Sequence, residues 1–340
     1  MSILTDLLDT AQKHGASDLL IMVGDAPAMR VSGQWIRFDL PICKDAFVVP
    51  IAEELIGPDA ISQLEKNHEL DFSRSLQPVG RVRCNVHYQR NHIAMVLRLV
   101  WPVIPDPTTL GIPAHVINMS DYPHGLILLS GPTGSGKSTT LAAMVEHINQ
   151  TRPAHIITIE DPIEYIYANK KSIIEQREIG SDTQSWHSAL RTVLRQAPDV
   201  IVLGELRDLE SIATALVAAE TGHLVLTSVH SSTAAGAISR IVDAFPPAQS
   251  GQARLQLSQS IRMVFGQRLV PGRQAKRRIL SYEILMGTPA VANMIRTNQL
   301  EQIPNAISAG RDHGMISFTQ CQRDMLAQGL VAPEIQMAGH

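Results

Sequence analysis

The residues from Gly125 to Thr140 have the types and the spacing that phosphate chemistry requires. The apolar run Leu126–Leu129 precedes a glycine-rich turn, Gly131–Gly136, and a helical pattern begins at Lys137. This is the motif G-x-x-x-x-G-K-[ST] in its required strand, loop and helix context. Glycines let successive backbone N–H groups point at an anion, and the positive end of the helix dipole lies behind them. The segment therefore predicts a phosphate site rather than an ordinary glycine turn.

The motif also assigns roles to its side chains. Lys137 would reach the β- and γ-phosphates of ATP, and the hydroxyl of Ser138 would ligate Mg²⁺. We therefore expect ATP and Mg²⁺ to be bound here. The predicted ATP-binding residues are Gly131, Pro132, Thr133, Gly134, Ser135, Gly136, Lys137, Ser138 and Thr139.

Three further predicted strands end in polar side chains. Glu160, Asp161 and Glu164 follow His155–Ile159, Glu205 follows Val200–Leu203, and His230 follows Leu224–Ser228. Because ligands of open parallel sheets bind at the carboxyl ends of the strands, these groups are candidates for chemistry on the phosphate. Glu205 would hold the water shell of Mg²⁺ or polarise the attacking water. His230 would sense the γ-phosphate, with a purely structural histidine as the alternative.

The N-terminal part of the chain has a different pattern, with a period of two residues from Arg81 to Gln89. Arg81 and Arg83 share its polar face, and the return strand Ile93–Val100 contains Arg98. Judged by residue types alone, these arginines belong to a solvated sheet surface.

The proline-rich segment Trp101–Pro107 is the predicted domain boundary, because three prolines in seven residues make a stiff connector. We expect a smaller domain over residues 1–100, a linker over 101–113 and an α/β core over 114–340. Alternating strand and helix patterns in the core predict a mostly parallel sheet, and short helices follow from about residue 288.

Composition narrows the function classes. The formal net charge of −3, with 18% charged residues, gives no basic field of the kind that nucleic-acid binders usually have. The first residues carry acids in place of a positive signal-peptide segment, and no apolar run approaches a membrane span. We therefore expect a cytoplasmic protein that reaches a membrane only through partners.

Four segments together resemble the boxes of the type II/IV secretion and pilus ATPase superfamily: Gly131–Ser138, Ile157–Tyr165, Leu194–Asp208 and Thr221–His230. The early Ser17-Asp18-Leu19, the arginine hairpin from Arg81 to Arg98 and the segment Gly314–Phe318 extend the likeness over nearly the whole chain. Within the superfamily, the chain most resembles the type IV pilus retraction ATPases.

This resemblance implies a hexameric ring whose subunits pair a PAS-like N-terminal domain with a RecA-like core, with ATP bound between them. It implies a motor that powers pilus retraction from the cytoplasmic face of the inner membrane, through a platform protein in that membrane. The implied catalytic residues are Glu164 as the base that orients water, Glu205 at Mg²⁺, His230 as the sensor of nucleotide state, and Arg81, Arg83 and Arg98 as phosphate contacts.

The chain departs from the retraction members at a few positions. Leu20 and Asn91-His92 replace a histidine and glycines, and Ala292 replaces an arginine in the segment Ala290–Arg296. An accessory retraction motor and a secretion or conjugation motor of the same superfamily therefore remain alternatives. A nucleic-acid-dependent RecA-like ATPase and a nucleotide-gated scaffold are more distant ones. The basic segment Arg268–Arg278 is interpreted as a solvated hairpin rather than a nucleic-acid contact.

Overall fold

The computed structural model describes residues 2–31, 33–77, 79–99, 104–273 and 278–332. The chain divides into two compact units, residues 1–103 with 164–166, and residues 104–163 with 167–340. The division after residue 103 falls inside the predicted linker, of which residues 101–103 lie outside the described part of the chain. The bounds predicted for the linker stay a prediction.

The first unit is built on a six-stranded antiparallel sheet with the order β3-β2-β1-β6-β5-β4. Its elements are α1 (Ile3–Lys13), β1 (Asp18–Met22), β2 (Ala28–Val31), β3 (Gln34–Arg37), α2 (Asp45–Ile56), α3 (Pro58–Asn67), β4 (Glu69–Leu76), β5 (Gly80–Gln89) and β6 (His92–Leu99). The predicted arginine hairpin is therefore confirmed.

The core of this unit follows from the two periodicities of its sequence. Leu4, Leu7 and Leu8 of α1 are buried at helical spacing, and Val82 and Cys84 of β5 are buried at alternate positions. The alternation leaves the intervening arginines of β5 on the other face of the sheet.

The helices α2 and α3 are separated by a single residue. Gly57 has a φ of 80°, and Pro58 occupies the first position of α3. Proline has no N–H to donate and disfavours a helical residue before it, so α2 ends and a new helix begins.

The second unit contains a seven-stranded sheet with the order β13-β12-β7-β11-β10-β8-β9, parallel except for the β12–β13 pair. Its strands are β7 (Gly125–Ser130), β8 (His155–Glu160), β9 (Ile173–Glu178), β10 (Val200–Leu203), β11 (Leu224–Val229), β12 (Ile261–Pro271) and β13 (Arg278–Met286). Its α-helices are α4 (Ala114–Asn118), α5 (Lys137–Thr151), α6 (Trp186–Val193), α7 (Leu209–Glu220), α8 (Ala234–Asp243), α9 (Pro247–Ser260), α10 (Pro289–Arg296), α11 (Ile303–Ala309) and α12 (Phe318–Ala327).

The central strands are buried on both faces, which explains why they are continuous apolar runs. Successive residues of β7 pack alternately into two different hydrophobic clusters. Leu126 and Leu128 pack in the cluster that includes α7, while Ile127 and Leu129 pack in the one that includes α5. Helices thus cover both faces of a parallel sheet, and the predicted α/β class and its short C-terminal helices are confirmed.

Two further features concern the surface of the protein. The strands β12 and β13 form the predicted antiparallel pair, from Met263 opposite Met286 to Pro271 opposite Arg278. Of the predicted basic tip, Gly272–Arg277, residues 274–277 lie outside the described residues. In the part of the chain that the structure describes, no helix combines the length and the apolar character needed to cross a bilayer.

Candidate nucleotide-binding site

The predicted phosphate loop lies between β7 and α5, as the sequence indicates. Gly131, Gly134 and Gly136 have φ values of 154°, 76° and 90°, a backbone region that favours glycine. A Cβ atom on Gly131 would lie 2.4 Å from the carbonyl oxygen of Gln267 and 2.5 Å from the hydroxyl of Ser135. The loop therefore needs glycine at this position for space as well as for conformation.

Lys137 occupies the first position of α5 and is only 8% exposed. Its Nζ donates to the carbonyl oxygens of Gly131 at 2.9 Å and of Pro132 at 3.1 Å. The ammonium group is therefore folded over the loop, where it would meet the phosphates of a nucleotide. The predicted residues Ser138 and Thr139 follow in the same first turn.

Gln267 on β12 supports the loop from the neighbouring strand, a role that the motif did not predict. Its side chain is 1% exposed, and its Nε2 donates to the carbonyl oxygen of Ser135 at 2.8 Å. The available signal was a polar residue inside the apolar run of β12, but only the pairing of β12 with β7 gives that residue its partner.

Several buried polar atoms on the loop, on β7 and on the two strands beside it have no hydrogen-bond partner within the described part of the chain. They are Ser130 Oγ, Ser135 Oγ, Thr227 Oγ1 and Gln267 Oε1. Because buried polar groups are normally hydrogen-bonded, their presence indicates a surface prepared for a polar ligand.

The ends of β8, β10 and β11 meet in a charged cluster around Glu205. Arg207 Nε donates to one carboxylate oxygen of Glu205, and His230 Nε2 lies 2.8 Å from the other. Arg207 Nη1 also lies 3.2 Å from Asp161 Oδ2. The structure thus brings together Glu205 and His230, as predicted from their positions at strand ends, and adds Arg207, which sequence reasoning missed.

The electrostatics of this cluster favour an ionised Glu205. Burial opposes ionisation, but the hydrogen bonds and charges of Arg207 and His230 outweigh it, and the pKa of Glu205 lies below its ordinary value. The same contacts with Glu205 and Asp161 outweigh the opposing effect of burial on Arg207, whose pKa is raised.

The carboxylates after β8 have separate environments. Glu160 accepts from Thr158 Oγ1 at 2.6 Å and from Gln176 Nε2 at 3.3 Å, which ties the end of β8 to β9. Glu178 is 3% exposed and accepts the backbone N–H of Ile163 at 2.9 Å. Glu164, the predicted base, directly follows Ile163 in the sequence and is exposed.

The three predicted arginines share one face of the first unit's sheet. Arg83 is directly opposite Arg98 in the β5–β6 register, Asp18 is directly opposite Arg98 in the β1–β6 register, and Arg81 lies two residues from Arg83. Arg98 Nε donates to the buried carboxylate of Asp18 at 2.9 Å. Because like charges directly opposite each other destabilise a sheet, this row of arginines is a concentration of positive charge that folding alone does not favour.

Donor atoms at the start of α5 and after β10 fit Mg²⁺ by their chemistry. Ser138 offers a hydroxyl and Glu205 an ionised carboxylate, both hard oxygen ligands. Among the described residues, no three or more His, Cys, Asp or Glu side chains are grouped to hold a metal ion. Mg²⁺ is commonly bound through one or two protein oxygens together with substrate phosphates, so such a group is not required.

Comparisons with known proteins show the family of the chain. The family described as type II/IV secretion system protein matches residues 113–331. The chain is 40% identical to the type IV pilus retraction ATPase PilT of Pseudomonas aeruginosa, over 97% of this chain and 96% of the relative. It is 36% identical to the type IV pilus ATPase PilU of the same organism, over 98% and 87% of the two chains.

A solved structure of the pilus retraction motor PilT with bound ADP superposes with a TM-score of 0.91 at 42% identity, and covers 98% of this chain and 95% of that one. This likeness confirms the predicted RecA-like core with a smaller N-terminal unit. The phosphate loop, the family match and the 40% identity to a relative over nearly the full length show that the chain belongs to the type II/IV secretion system protein family.

Proposed function

We propose that this protein is an ATP-hydrolysing motor that powers the retraction of type IV pili. The observation that carries the proposal is a complete phosphate loop after β7 and, in the same sheet, an ionised Glu205 that pairs with His230 across the ends of two neighbouring parallel strands. Relatives matched over nearly the whole chain are a retraction ATPase and a pilus ATPase. The predicted enzyme class and the predicted function are borne out by these relatives.

Binding of ATP would begin at the loop. Lys137 would exchange its carbonyl contacts for oxygens of the β- and γ-phosphates, and the backbone N–H groups of residues 133–137 would surround the β-phosphate. Ser138 and Glu205 would hold Mg²⁺, which, when bound, neutralises charge on the phosphates.

For the hydrolytic step, we assign Glu164 as the base that orients the attacking water. Glu205 would stay ionised because Arg207 and His230 face its two oxygens, and His230 would respond to the γ-phosphate through that contact. Arg81, Arg83 and Arg98 would stabilise charge that develops on the transferred phosphoryl group. These catalytic roles rest on the resemblance of the motifs and on the positive charge concentrated on β5 and β6.

We further propose that the working form is a hexameric ring, located on the cytoplasmic face of the inner membrane and bound there by a platform protein.

The like-charged row of Arg83 and Arg98 supports a role for a transient anionic partner, since repulsion between the two is relieved when a phosphate binds. Catalysis would then require closure over ATP, as in many enzymes that hydrolyse nucleotides.

A chromosomal Lys137→Ala allele tests this function in the organism that carries the gene. We expect loss of ATP hydrolysis by the purified variant and of twitching movement by the strain, while pili still form on the cell surface. A Lys171→Ala allele is the control, because Lys171 is an exposed cation outside the loop. Normal twitching and retraction in the Lys137→Ala strain would refute the proposal.

A secretion or conjugation motor of the same family is the second candidate. The observation that favours it is Ala292, half-buried on α10, where the retraction members have an arginine. Deletion of the gene separates the two functions. Loss of twitching with intact export supports the retraction motor, whereas loss of effector or DNA transfer with intact twitching supports the second candidate.

A further inference from the structure

A second cavity, of about 790 Å³, lies in the core unit and is lined by residues of β13, α11, α12 and the C-terminal half of β12. One wall is the segment Gly314–Phe318, which has no role in the ATP chemistry above. This segment is fixed to β13 by two backbone hydrogen bonds, Ile284 N to Ile316 O at 2.8 Å and Ile316 N to Ile284 O at 3.2 Å. The cavity is therefore built into the fold.

The lining of this cavity carries an excess of positive charge. Arg268, Arg311 and Arg323 line it, and Glu283 is its one carboxylate among the described residues. Within the described part of the chain, the side chains of Arg311 and Arg323 make no ion pair or hydrogen bond, and both residues are exposed. The guanidinium of Arg268 stacks 4.3 Å from the ring centre of Phe318.

Glu283 is already committed to the backbone, so it is a weak counter-ion for these arginines. Its Oε1 accepts the N–H of Ala234 at 2.8 Å, and it also bonds the backbone of Phe318. These are the first residues of α8 and α12, so one carboxylate caps two helices. Burial outweighs these favourable contacts and raises the pKa of Glu283, which lowers its tendency to carry a full negative charge.

We propose that this cavity is a second anion-binding site, for a small organic molecule that bears phosphate groups. Its volume lies in the range of about 300–1,000 Å³ that is usual for ligand sites. Arginine guanidinium groups match phosphate oxygens in a two-pronged geometry, and Arg311 and Arg323 are available for it. Phe318, Met315 and Tyr282 supply apolar surface for the rest of the molecule.

The strand β12 and the segment His230–Ser232 connect this cavity to the nucleotide site. Successive side chains of a strand point to opposite faces, so β12 presents Gln267 to the phosphate loop and Arg268 to the cavity. Arg268 Nη2 donates to Ser232 O at 3.0 Å, two residues after His230. A ligand that draws Arg268 away would release the segment that carries His230, so occupancy of the cavity changes the affinity for nucleotide, and bound nucleotide changes the affinity of the cavity by the same factor.

Calorimetric titration of the full chain with pyrophosphate tests the proposal. To separate the cavity from the phosphate loop, the titration is done on protein saturated with ADP and again on the Lys137→Ala variant. We expect one binding event per chain in both, weakened by about tenfold or more in an Arg311→Gln/Arg323→Gln variant. The control is a Lys170→Gln/Lys171→Gln variant, which removes two positive charges from exposed positions outside the cavity. We expect it to bind pyrophosphate as the wild type does.

Absence of binding to ADP-saturated wild type would overturn the proposal, as would equal affinity in the double arginine variant. Binding that disappears with Lys137→Ala would assign pyrophosphate to the phosphate loop and also overturn it. If ADP does not bind, the proposed nucleotide function is wrong. The proposal for the cavity is then still tested by whether pyrophosphate binding depends on Arg311 and Arg323. An Arg311→Lys variant, which keeps the charge but loses the two-pronged geometry, gives intermediate weakening and serves if the double variant does not fold.

Discussion

At the scale of single residues, the geometry around Glu205 defines the candidate site. Both carboxylate oxygens face cationic or potentially cationic groups, Arg207 on one side and His230 on the other. Its side chain is 19% exposed, so these contacts are only partly screened by water. The carboxylate is thus held ionised and oriented before any nucleotide binds.

This arrangement predicts how the stability of the nucleotide-free protein depends on pH. The pKa of Glu205 is lower in the folded protein than in the unfolded chain, so the unfolded chain takes up the proton first on acidification. The stability contributed by the contacts is therefore present above about pH 4.3 and lost as the pH falls through the lower folded value. We expect Glu205→Gln to cost about 1 kcal/mol at neutral pH and to lessen the loss of stability in acid.

Thermal unfolding from pH 7 down to about pH 3 measures this effect. The control is Glu301→Gln, which neutralises an exposed carboxylate in the C-terminal helices. If Glu205→Gln and wild type lose stability equally on acidification, the cluster does not hold Glu205 as described.

The ion pair between Asp18 and Arg98 predicts that loss of one partner costs more stability than loss of the other. The side chain of Asp18 is 6% exposed and that of Arg98 62% exposed. Arg98→Ala leaves a buried carboxylate with the hydroxyl of Ser17 at 2.8 Å, and we expect a cost of about 2–3 kcal/mol. Asp18→Asn leaves an arginine that water can solvate, and we expect only about 1 kcal/mol.

Hydrogen exchange of the amides in β1 and β6 tests this prediction for the first unit alone. Faster exchange in Arg98→Ala than in Asp18→Asn is expected. The reverse order would mean that the buried carboxylate does not depend on Arg98.

At the scale of elements, the phosphate loop is held by its neighbours as well as by its own sequence. Gly131 approaches Gln267 and Ser135 so closely that an added Cβ has no room, whereas a Cβ on Gly134 would meet nothing within 4 Å. Both glycines have φ values that other residues rarely adopt. The two positions thus separate the cost of conformation from the cost of space.

We expect Gly131→Ala to weaken ADP binding by about 100-fold, which corresponds to roughly 3 kcal/mol of distortion at the loop. Gly134→Ala, the matched control, is expected to lose about 1–2 kcal/mol of stability from backbone strain and to retain binding within about tenfold. Titration with ADP and thermal unfolding of both variants give the two quantities. Equal effects on binding would contradict the close packing of β12 against the loop.

The same elements show what the sequence could predict. The phosphate loop, the arginine hairpin and the polar strand ends were predictable because motif and periodicity are local properties. Gln267 and Glu178 were not, because their partners lie on other strands or loops and are known only from the order of the sheet. The same holds for the contact of Arg207 with Asp161, although its other partner, Glu205, is only two residues away. The boundary between α2 and α3 has a local signal, the dipeptide Gly57-Pro58.

At the scale of the whole molecule, the chain carries its predicted chemical groups on two compact units. The phosphate loop, Glu205 and His230 belong to the core unit, and Arg81, Arg83 and Arg98 belong to the N-terminal unit. If the arginines act on the phosphate as we propose, hydrolysis depends on groups that no single unit contains. Activity should then depend on the assembled form of the protein.

The most direct test is steady-state ATP hydrolysis per chain as a function of protein concentration, with molecular mass measured in parallel, for wild type, Lys137→Ala and Arg83→Ala. We predict that wild-type activity rises as the chains assemble into a species of six subunits, and that both variants lose about 100-fold or more. Full activity in a single chain, with Arg83→Ala as active as wild type, would contradict the account of a ring motor.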